Sequence, residues 1–345
     1  MASSSATHKV KSWIYTTAGY PTTLELKDTT VPAIPASNHV LVKIHASSIN
    51  PVDIQLMNVP LFSLPGLWHD KHISRDFAGT ILAIGPDVKN FQKGDEVCGF
   101  INDFSGKSGG LTEVAHLDMV TTCMVKKPKG LSWTQAASLP LVYLTARTSI
   151  AKVERSMQVN PASANKLVVL GGSSSTGIYT VKLAKQRGWT VLSSCSHRNV
   201  DFVKDLGADE IVDYTTGPHA VVDAVKLFEP SAIVDNVGGT ETIGLAGYYV
   251  TIVGDKTSRT SMGGSALYLT HPRMVLRYYL GAWGLGPKYE CIVLDAKKEY
   301  LEEIDNLKPE EVIVDSVFSF NQVKEAFEKL NTGRCRGKVV IEIEK

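Results

Sequence analysis

The 345-residue sequence lacks the cysteine pattern of a disulfide-rich secreted protein and of a zinc knuckle. Its five cysteines are odd in number, widely separated along the chain, and never arranged as C-x-x-C. A disulfide framework or a clustered thiolate zinc site needs paired or closely spaced cysteines. We therefore expect these residues to be small, buried and apolar in character.

An excess of one charge and long apolar runs are also missing. The formal net charge is +1, without the basic excess typical of a protein that binds nucleic acid. No apolar run reaches the length of about 20 residues that a membrane-spanning helix needs. The initial MASSSATHK has no apolar segment of the signal-peptide type. These absences predict a cytoplasmic protein that binds neither nucleic acid nor membrane.

Helical periodicity is scarce over roughly the first 135 residues, where short strands and turn signals dominate. In HVLVKIHASSI the apolar residues Val40, Val42, Ile44 and Ala46 alternate on one face. The segments FAGTILAIGPDV and FQKGDEVCGF indicate further short strands, broken by Gly, Pro and Asp. This pattern predicts an all-β unit that is wholly or partly barrel-like.

From about residue 140, apolar strands recur at intervals of about twenty residues: KLVVL, WTVLSS, DEIVDY, SAIVDN and YYVTIVG. Helical stretches separate most of them, and in GIYTVKLAKQRG the residues Ile178, Val181 and Ala184 share one face. Alternating strands and helices predict an α/β domain with a doubly wound parallel sheet. The tail after about residue 285, with strands YECIVLD and KVVIEIE, is too short to fold alone, so we expect it to return to the first domain.

A dinucleotide-binding turn is indicated where KLVVL runs into a helix. The fingerprint G-x-G-x-x-G brings backbone N–H groups and a helix N-terminus to a pyrophosphate. Here the stretch reads G-x-S-x-x-G, with Gly172, Ser173, Ser174, Ser175, Thr176 and Gly177. We infer that serine and threonine hydroxyls supplement the backbone donors to a phosphate lying slightly further out. The alternative is a turn that only caps a helix.

The end of the second strand of this domain distinguishes NAD from NADP. An NAD enzyme places Asp or Glu there for the ribose 2′-hydroxyl, whereas an NADP enzyme removes that charge and supplies a cation. The stretch from Ser193 to Asn199 contains no acid but includes Ser196 and Arg198, which suit a 2′-phosphate. We therefore expect NADP as cofactor, the alternative being that Arg198 is a solvated loop cation.

Several segments in the same order resemble the medium-chain dehydrogenase/reductase superfamily, in its zinc-independent quinone-oxidoreductase-like branch, and look most similar to fungal members that include trans-acting enoyl reductases. The segments are SSINPVD, SRDFAGTILAIGPDVKNFQKGDEVCG, AASLPLVYLTA, LGGSSSTG, CSHRN, LGADEIVDY, VDNVGG and RGKVVIEI, and together they span nearly the whole chain. The resemblance implies a GroES-like catalytic domain over residues 1–137, a Rossmann NADP-binding domain over 138–285, and a return segment over 286–345 that completes the catalytic domain.

The resemblance also implies which residues hold the cofactor. Those beside the nicotinamide would be Asn50, Pro51, Asp53 and Thr145, while the stretch from Ser173 to Thr176 would face the pyrophosphate. Those around the adenosine 2′-phosphate would be Ser196, His197, Arg198, Asn199 and Tyr214. From the VDNVGG segment, Val237 and Gly238 complete the set.

No zinc site is expected. In the zinc-dependent branch the metal takes a Cys near the first crossover and a His-Glu pair further on, whereas this chain has Asn50 and then Arg75-Asp76 at those places. The pair His69 and His72 is the one other arrangement that suggests a metal, and it lacks the third and fourth ligands of a zinc site. We therefore predict a metal-free protein.

Without zinc there is no Lewis acid to polarise a simple carbonyl, so hydride must go to an acceptor that is already activated. The sequence thus predicts an NADPH-dependent reductase of quinones, enones or enoyl thioesters, with a hydrophobic conjugated carbonyl compound as substrate. Alternatives are a zinc-free alcohol or aldehyde oxidoreductase and a non-catalytic NADPH-binding regulatory or partner-binding protein. The protein is expected to be a monomer or a homodimer.

The proton donor is not identified by any spacing in the sequence. Polar residues expected near the nicotinamide are Asp53, Gln55 and Tyr143, and each is a candidate general acid. The alternative is that all three are structural and that water supplies the proton.

Overall fold

The computed structural model describes residues 7–59, 69–157, 165–255 and 272–343. The pattern of contacts divides the chain into two compact units. The β-rich unit comprises Met1–Leu141 together with Ala296–Lys345, and the α/β unit comprises Val142–Asp295.

The β-rich unit is built mainly from strands that come from both ends of the chain. Its strands are β1 (Thr7–Tyr15), β2 (Glu25–Pro32), β3 (His39–Ile49), β4 (Lys71–His72), β5 (Asp76–Ile84), β6 (Glu96–Ile101), β7 (Val114–Asp118), β8 (Thr122–Lys126), β15 (Val314–Ser319) and β16 (Lys338–Glu342). Its helices are α1 (Pro51–Met57), α2 (Trp133–Ala137), α8 (Lys298–Glu302) and α9 (Val323–Asn331).

Two sheets form this unit. One has the order β2-β1-β4, and the other has the order β15-β16-β3-β5-β6-β8 with β7 also paired to β3. The apolar side chains that alternate along β3, including Val40, Val42 and Ile44, are buried and pack with Phe77 and Ile81 of β5. The alternation therefore marked a strand with one apolar face, as the sequence predicted.

The α/β unit alternates strands with helices. Its strands are β9 (Lys166–Leu170), β10 (Thr190–Cys195), β11 (Glu210–Asp213), β12 (Ala232–Asp235), β13 (Tyr248–Thr251) and β14 (Lys288–Cys291). Its helices are α4 (Ser175–Gln186), α5 (Val200–Asp205), α6 (Ala220–Phe228) and α7 (Pro272–Ala282), preceded by α3 (Pro140–Met157), which begins in the β-rich unit.

The six strands of this unit are all parallel and lie in the order β11-β10-β9-β12-β13-β14. Counted along the chain this is 3-2-1-4-5-6, the order of a Rossmann sheet, in which the switch between β9 and β12 places nucleotide-binding loops at the carboxyl ends of the strands. Residues Val168, Leu192, Ile233 and Tyr249 from four neighbouring strands lie in one buried cluster. The predicted α/β class with a doubly wound parallel sheet is confirmed.

The boundaries of the units differ from the residue ranges expected from the sequence. The first falls between Leu141 and Val142 rather than after residue 137, because α3 starts at Pro140. The second falls between Asp295 and Ala296 rather than after residue 285. The strand in YECIVLD, expected in the return segment, is β14. It pairs in parallel with β13, Tyr249 opposite Tyr289, and so belongs to the α/β unit.

Candidate functional site

The turn between β9 and α4, called the phosphate turn after the ligand expected there, has Gly171 as its tight residue. This glycine has φ of 77°, in the left-handed region, and a Cβ there would lie 2.4 Å from Val237 Cγ1. At the other end of the turn, a Cβ on Gly177 would lie 2.1 Å from the Gly171 carbonyl oxygen. Both glycines are thus required for α4 to start directly against the end of β9. Gly171 lies one residue before the first glycine of the fingerprint predicted from the sequence, so that fingerprint does not include it.

The serine that replaces the middle glycine caps the helix. Ser174 Oγ accepts the backbone N–H of Gly177 at 3.0 Å, as an N-cap residue does. The predicted alternative, a helix cap, therefore describes Ser174, whose hydroxyl proton remains available for donation. The side chains of Ser173, Ser174 and Ser175 are partly exposed, which leaves their hydroxyls accessible at the N-terminus of a 12-residue helix.

Ser193 and Ser194 of β10 contact the glycines of this turn. Ser194 Oγ accepts the Gly171 N–H at 2.9 Å, and its carbonyl accepts the Gly172 N–H at 3.0 Å. A Cβ on Gly172 would lie 2.1 Å from Ser193 Oγ, so Gly172 is needed for close approach to β10. In the sequence, the run SSCS of small hydroxyl residues at the end of a strand is the signal that could have predicted these contacts with the turn.

The end of β10 adjoins the turn, as expected for an adenosine pocket. Asn199 Nδ2 donates to Ser173 Oγ at 3.1 Å and contacts Ser196 Oγ at 3.2 Å, which brings together two groups of residues that lie over twenty positions apart in sequence. Arg198 and His197 are exposed beside them. The Tyr214 N–H donates to the Cys195 carbonyl, and the Tyr214 ring is half exposed.

One carboxylate lies closer to this pocket than the sequence suggested. Parallel pairing puts Asp213 of β11 beside Cys195, and Asp213 Oδ2 lies 3.3 Å from His197 Nδ1. Hydrogen bonds from the Thr215 hydroxyl and N–H to Oδ1 lower the pKa of Asp213. The end of β10 itself carries no acidic residue. Asp213 of the neighbouring strand lies beside it because the register of the two strands places Asp213 opposite Cys195.

The loop after β12 carries Val237 and Gly238. Gly238 has φ of 99°, and the backbone N–H groups of both residues donate to Asp235 Oδ1, at 2.9 and 2.7 Å. Val237 is half exposed and faces Gly171. The two loops at the switch between β9 and β12 are therefore in contact, which is where a Rossmann sheet binds its ligand.

In the β-rich unit, Asn50 belongs to a buried polar cluster. Asp76 Oδ2 accepts hydrogen bonds from Ser48 Oγ at 3.0 Å, Asn50 Nδ2 at 2.9 Å and Lys338 Nζ at 3.1 Å. Lys338 Nζ also donates to Asn50 Oδ1 and to the Ile49 carbonyl. Both oxygens of Asp76 are used, since Oδ1 accepts the Leu141 N–H at 2.8 Å near the start of α3. The amide of Asn50 is thus held in one orientation.

Helix α1 presents two of the predicted acid candidates. Pro51 starts the helix, and Asp53 Oδ2 accepts the Asn50 N–H at 2.8 Å. Burial raises the pKa of Asp53 to about 6, an effect that the nearby Arg75 opposes. Among the described residues nothing donates to Asp53 Oδ1, a buried atom that is therefore open to a further partner. Gln55 is also buried.

The remaining predicted residues lie on α3 in the α/β unit. Thr145 is buried and Ser149 Oγ donates to its carbonyl at 2.9 Å. The ring of Tyr143 is buried, with its centroid 5.7 Å from that of Tyr179 on α4. Tyr143 thus packs against the helix that begins at the phosphate turn.

The residues at the positions of a family zinc site do not suit a metal. Asn50 and Asp76 are bridged by the ammonium group of Lys338, and the buried Arg75 donates from Nη1 to the Asp103 carbonyl. The positively charged Lys338 lies against Asn50 and Asp76, and a divalent ion needs anionic or neutral ligands, so this set of residues does not fit one. Within residues 7–59, 69–157, 165–255 and 272–343, no group of three or more His, Cys, Asp or Glu side chains is placed to hold a metal ion.

Comparison with known proteins agrees with this architecture. Residues 36–129 match the family described as alcohol dehydrogenase GroES-like domain, and residues 206–341 match that described as zinc-binding dehydrogenase. The mouse protein "NAD(P)H oxidoreductase RTN4IP1, mitochondrial" is 33% identical over an alignment covering 91% of this chain and 84% of that protein. This chain belongs to the medium-chain dehydrogenase/reductase superfamily.

Two further similar proteins carry the name quinone oxidoreductase. The "Chloroplast envelope quinone oxidoreductase homolog" of Arabidopsis thaliana is 29% identical over 89% of this chain and 91% of that protein. The quinone oxidoreductase of Coxiella burnetii has the same fold, with a TM-score of 0.77 and 24% identity over 98% of this chain and all of that one. The predicted superfamily and the quinone-oxidoreductase-like relationship are confirmed, and the protein is an oxidoreductase that uses a nicotinamide cofactor.

Membership of the superfamily explains the two-unit architecture, with a GroES-like β-rich unit and a Rossmann-type α/β unit. No helix in the described part of the chain has the length and apolarity to cross a bilayer. By name, the mouse relative is mitochondrial and the Arabidopsis relative belongs to the chloroplast envelope.

Proposed function

We propose that this oxidoreductase is an NADPH-dependent, zinc-independent reductase of activated acceptors, namely quinones, enones or enoyl thioesters. The observation that carries the cofactor preference is the end of β10, where Ser196 and the exposed Arg198 stand beside the phosphate turn and no acidic side chain occupies the strand end. A guanidinium and a hydroxyl favour a 2′-phosphate, whereas the acid that would bind an unmodified ribose is missing.

The nearby Asp213 does not replace that acid. Its Oδ1 is used by Thr215 and its Oδ2 faces His197, so the carboxylate is already engaged within the pocket wall. It also lies on β11 rather than at the end of β10, where the ribose-binding acid of NAD enzymes stands. We infer that Asp213 orients His197 beside the phosphate.

The chain's own residues supply binding and orientation. The bound nicotinamide supplies the hydride, which is chemistry of the cofactor and not of the protein. Gly171, Gly177 and the stretch from Ser173 to Thr176 would hold the pyrophosphate at the start of α4. Asn50, fixed by Lys338 and Asp76, presents an oriented amide at the start of α1, together with Pro51.

The acceptor class follows from the residues at the positions of the family zinc site. Because Arg75 replaces a zinc ligand of the related enzymes and Lys338 binds Asp76 beside it in sequence, we expect no Lewis acid that would polarise a simple carbonyl. The acceptor must then be activated by conjugation. Asp53 is the favoured proton source, because its buried Oδ1 is unpartnered among the described residues and its pKa of about 6 makes the carboxyl a better proton carrier at neutral pH.

The proposal is tested by binding and turnover with the purified protein. We expect tighter binding of NADPH than of NADH by calorimetry, and NADPH oxidation with at least one of a quinone, an enone or an enoyl thioester. Elemental analysis should find no stoichiometric zinc. Preference for NADH would contradict the cofactor assignment, and turnover of simple alcohols or aldehydes alone would contradict the acceptor class.

A further inference from the structure

The loop from Val237 to Gly239 is held by a single carboxylate. Asp235, at the end of β12, is 1% exposed, and its Oδ1 accepts three successive backbone N–H groups, from Val237 at 2.9 Å, Gly238 at 2.7 Å and Gly239 at 3.2 Å. A carboxylate oxygen accepts such bonds strongly because it carries charge. The Gly239 N–H is buried and would cost about 1–3 kcal/mol without a partner, whereas the bonds from Val237 and Gly238 are partly buried.

The second oxygen of Asp235 extends the same arrangement to the next strand. Oδ2 accepts the hydroxyl of Thr251, at the end of β13, at 2.9 Å. Thr251 Oγ1 in turn accepts the N–H of Gly254 at 3.0 Å and that of Val253 at 3.2 Å. One carboxylate–hydroxyl pair therefore shapes the loops that leave two adjacent strands at the carboxyl edge of the sheet.

The carbonyl side of the loop is fixed as well. The Gly239 carbonyl accepts Tyr249 Oη at 3.0 Å and Thr242 Oγ1 at 2.8 Å. Burial and the neighbouring Asp235 raise the pKa of Tyr249, so its hydroxyl stays protonated and can donate. With its amide groups bound to Asp235 and its last carbonyl bound to two hydroxyls, the loop has a single defined backbone path.

This path sets the position of the loop against the phosphate turn. Val237 Cγ1 faces Gly171, where only the absence of a Cβ makes room for it, and a Cβ on Gly239 would lie 2.7 Å from Leu170 Cδ1. Asn236 Nδ2 also donates to the Leu170 carbonyl at 3.1 Å. A shift of the loop would therefore break its contacts with Leu170 and Gly171 at the end of β9.

We propose that Asp235 is a positioning residue for the nicotinamide half of the cofactor, acting through the loop from Val237 to Gly239. This inference rests on the proposed function. A Rossmann sheet holds the two halves of a dinucleotide on either side of the switch between β9 and β12, so the loop after β12 is on the side opposite the end of β10. The adenosine half lies against different residues, those at the end of β10. Asp235 is therefore specific to one half of the ligand, and this difference separates positioning from a general effect on folding.

The test compares two ligands on the same variants. NADPH contains both halves, whereas 2′,5′-ADP contains only the adenosine half. For Asp235→Ala we expect NADPH affinity to fall by about tenfold or more, because three N–H groups lose their acceptor. Affinity for 2′,5′-ADP should stay within about twofold of wild type, and kcat should fall on the order of 10²-fold because the nicotinamide is misplaced.

Two further variants keep the result interpretable. Asp235→Asn retains an oxygen that accepts the three N–H groups but replaces the acceptor of the Thr251 hydroxyl with an amide donor, so NADPH affinity should recover in part. Tyr249→Phe keeps the core ring but removes one donor to Gly239, and should weaken NADPH by about two- to fivefold, the effect of one neutral hydrogen bond. Asp223→Ala, on the exposed face of α6, is the matched control and should change neither ligand.

Equal losses of NADPH and 2′,5′-ADP in Asp235→Ala, or unchanged NADPH binding in both Asp235→Ala and Tyr249→Phe, would overturn the inference. If Asp235→Ala does not fold, the same comparison in Tyr249→Phe decides it. Failure of the wild-type protein to bind either ligand would instead overturn the proposed function, and the inference with it.

Discussion

Lys338 Nζ lies 3.1 Å from Asp76 Oδ2, and both side chains are buried in the β-rich unit. The pair joins β16, at the end of the chain, to β5. It also orients Asn50, which accepts from the same ammonium group and donates to the same carboxylate. A buried ion pair is held in place by its hydrogen bonds, and its partners cannot be removed singly without leaving an uncompensated charge.

Lys338→Met should therefore destabilise the protein by about 3–5 kcal/mol, because Asp76 would be left as a buried, unpaired carboxylate. The measurement is the urea dependence of unfolding followed by circular dichroism. The double variant Asp76→Asn/Lys338→Met should recover part of the loss, since both charges are then gone. A double variant whose loss equals the sum of the two single losses would show that the ion pair makes no coupled contribution.

Gly177→Ala should abolish cofactor binding. The added Cβ would lie 2.1 Å from the Gly171 carbonyl oxygen, and because that atom belongs to the backbone, the start of α4 has to move away from β9. Calorimetry with NADPH measures the loss, and the melting temperature should fall as well. Gly217→Ala is the matched control: nothing lies within 4 Å of a Cβ there, so it should bind as wild type does.

Arg198→Ala should weaken NADPH far more than NADH. A charge-assisted phosphate contact contributes on the order of 1.5–3 kcal/mol, or roughly ten- to a hundredfold in affinity. NADH lacks the 2′-phosphate and should lose little. Fluorescence titration with both cofactors measures the ratio, and Lys204→Ala, which removes an exposed cation from α5, is the control. Equal losses for both cofactors would mean that Arg198 does not contact the 2′-phosphate but a part that both cofactors share.

Asp53 should make stability depend on pH. Its pKa rises from 3.8 to about 6 in the folded protein, so the folded state binds the proton more tightly than the unfolded chain does. Stability from this group is therefore greatest below pH 4 and declines as pH rises to about 6, by on the order of 2–3 kcal/mol.

Asp53→Asn removes that titration. Relative to wild type, the free energy of unfolding of the variant should increase between pH 4.5 and pH 7.5, as measured by urea unfolding at each pH. A difference that stays constant across this range would contradict the raised pKa. The other carboxyl groups titrate in both proteins and cancel in the comparison.

Local patterns in the sequence were sufficient for the architecture. The alternation along β3 and the repeated strands from KLVVL to YYVTIVG became strands as predicted, because each depends on a periodicity that burial enforces. The strand in YECIVLD shows what such local patterns do not predict, namely the unit to which a strand belongs. Its residues are those of any short buried strand, and only its pairing with β13 assigns it to the α/β unit.

The parts of the site that depend on local backbone geometry were predictable from the sequence. The parts that depend on contacts between residues distant in the sequence were less so. Gly177 and the serines were found from their spacing. Asp213 and Lys338 were not, because the first reaches His197 through strand register and the second reaches Asn50 from almost three hundred residues away. Asp235 was missed for another reason: it binds backbone N–H groups, which leave no pattern of partner side chains in the sequence.

The pairing of β16 with β3, Val339 opposite Ile49, has a consequence for biosynthesis. During translation the strands before residue 142 emerge first, yet the sheet to which they belong stays open beside β3 until β16 leaves the ribosome. The α/β unit, encoded by one uninterrupted stretch, can complete its sheet earlier. Nascent chains arrested shortly before residue 338 should therefore expose the edge of β3 to chaperones while the nucleotide-binding half is already protected from proteases.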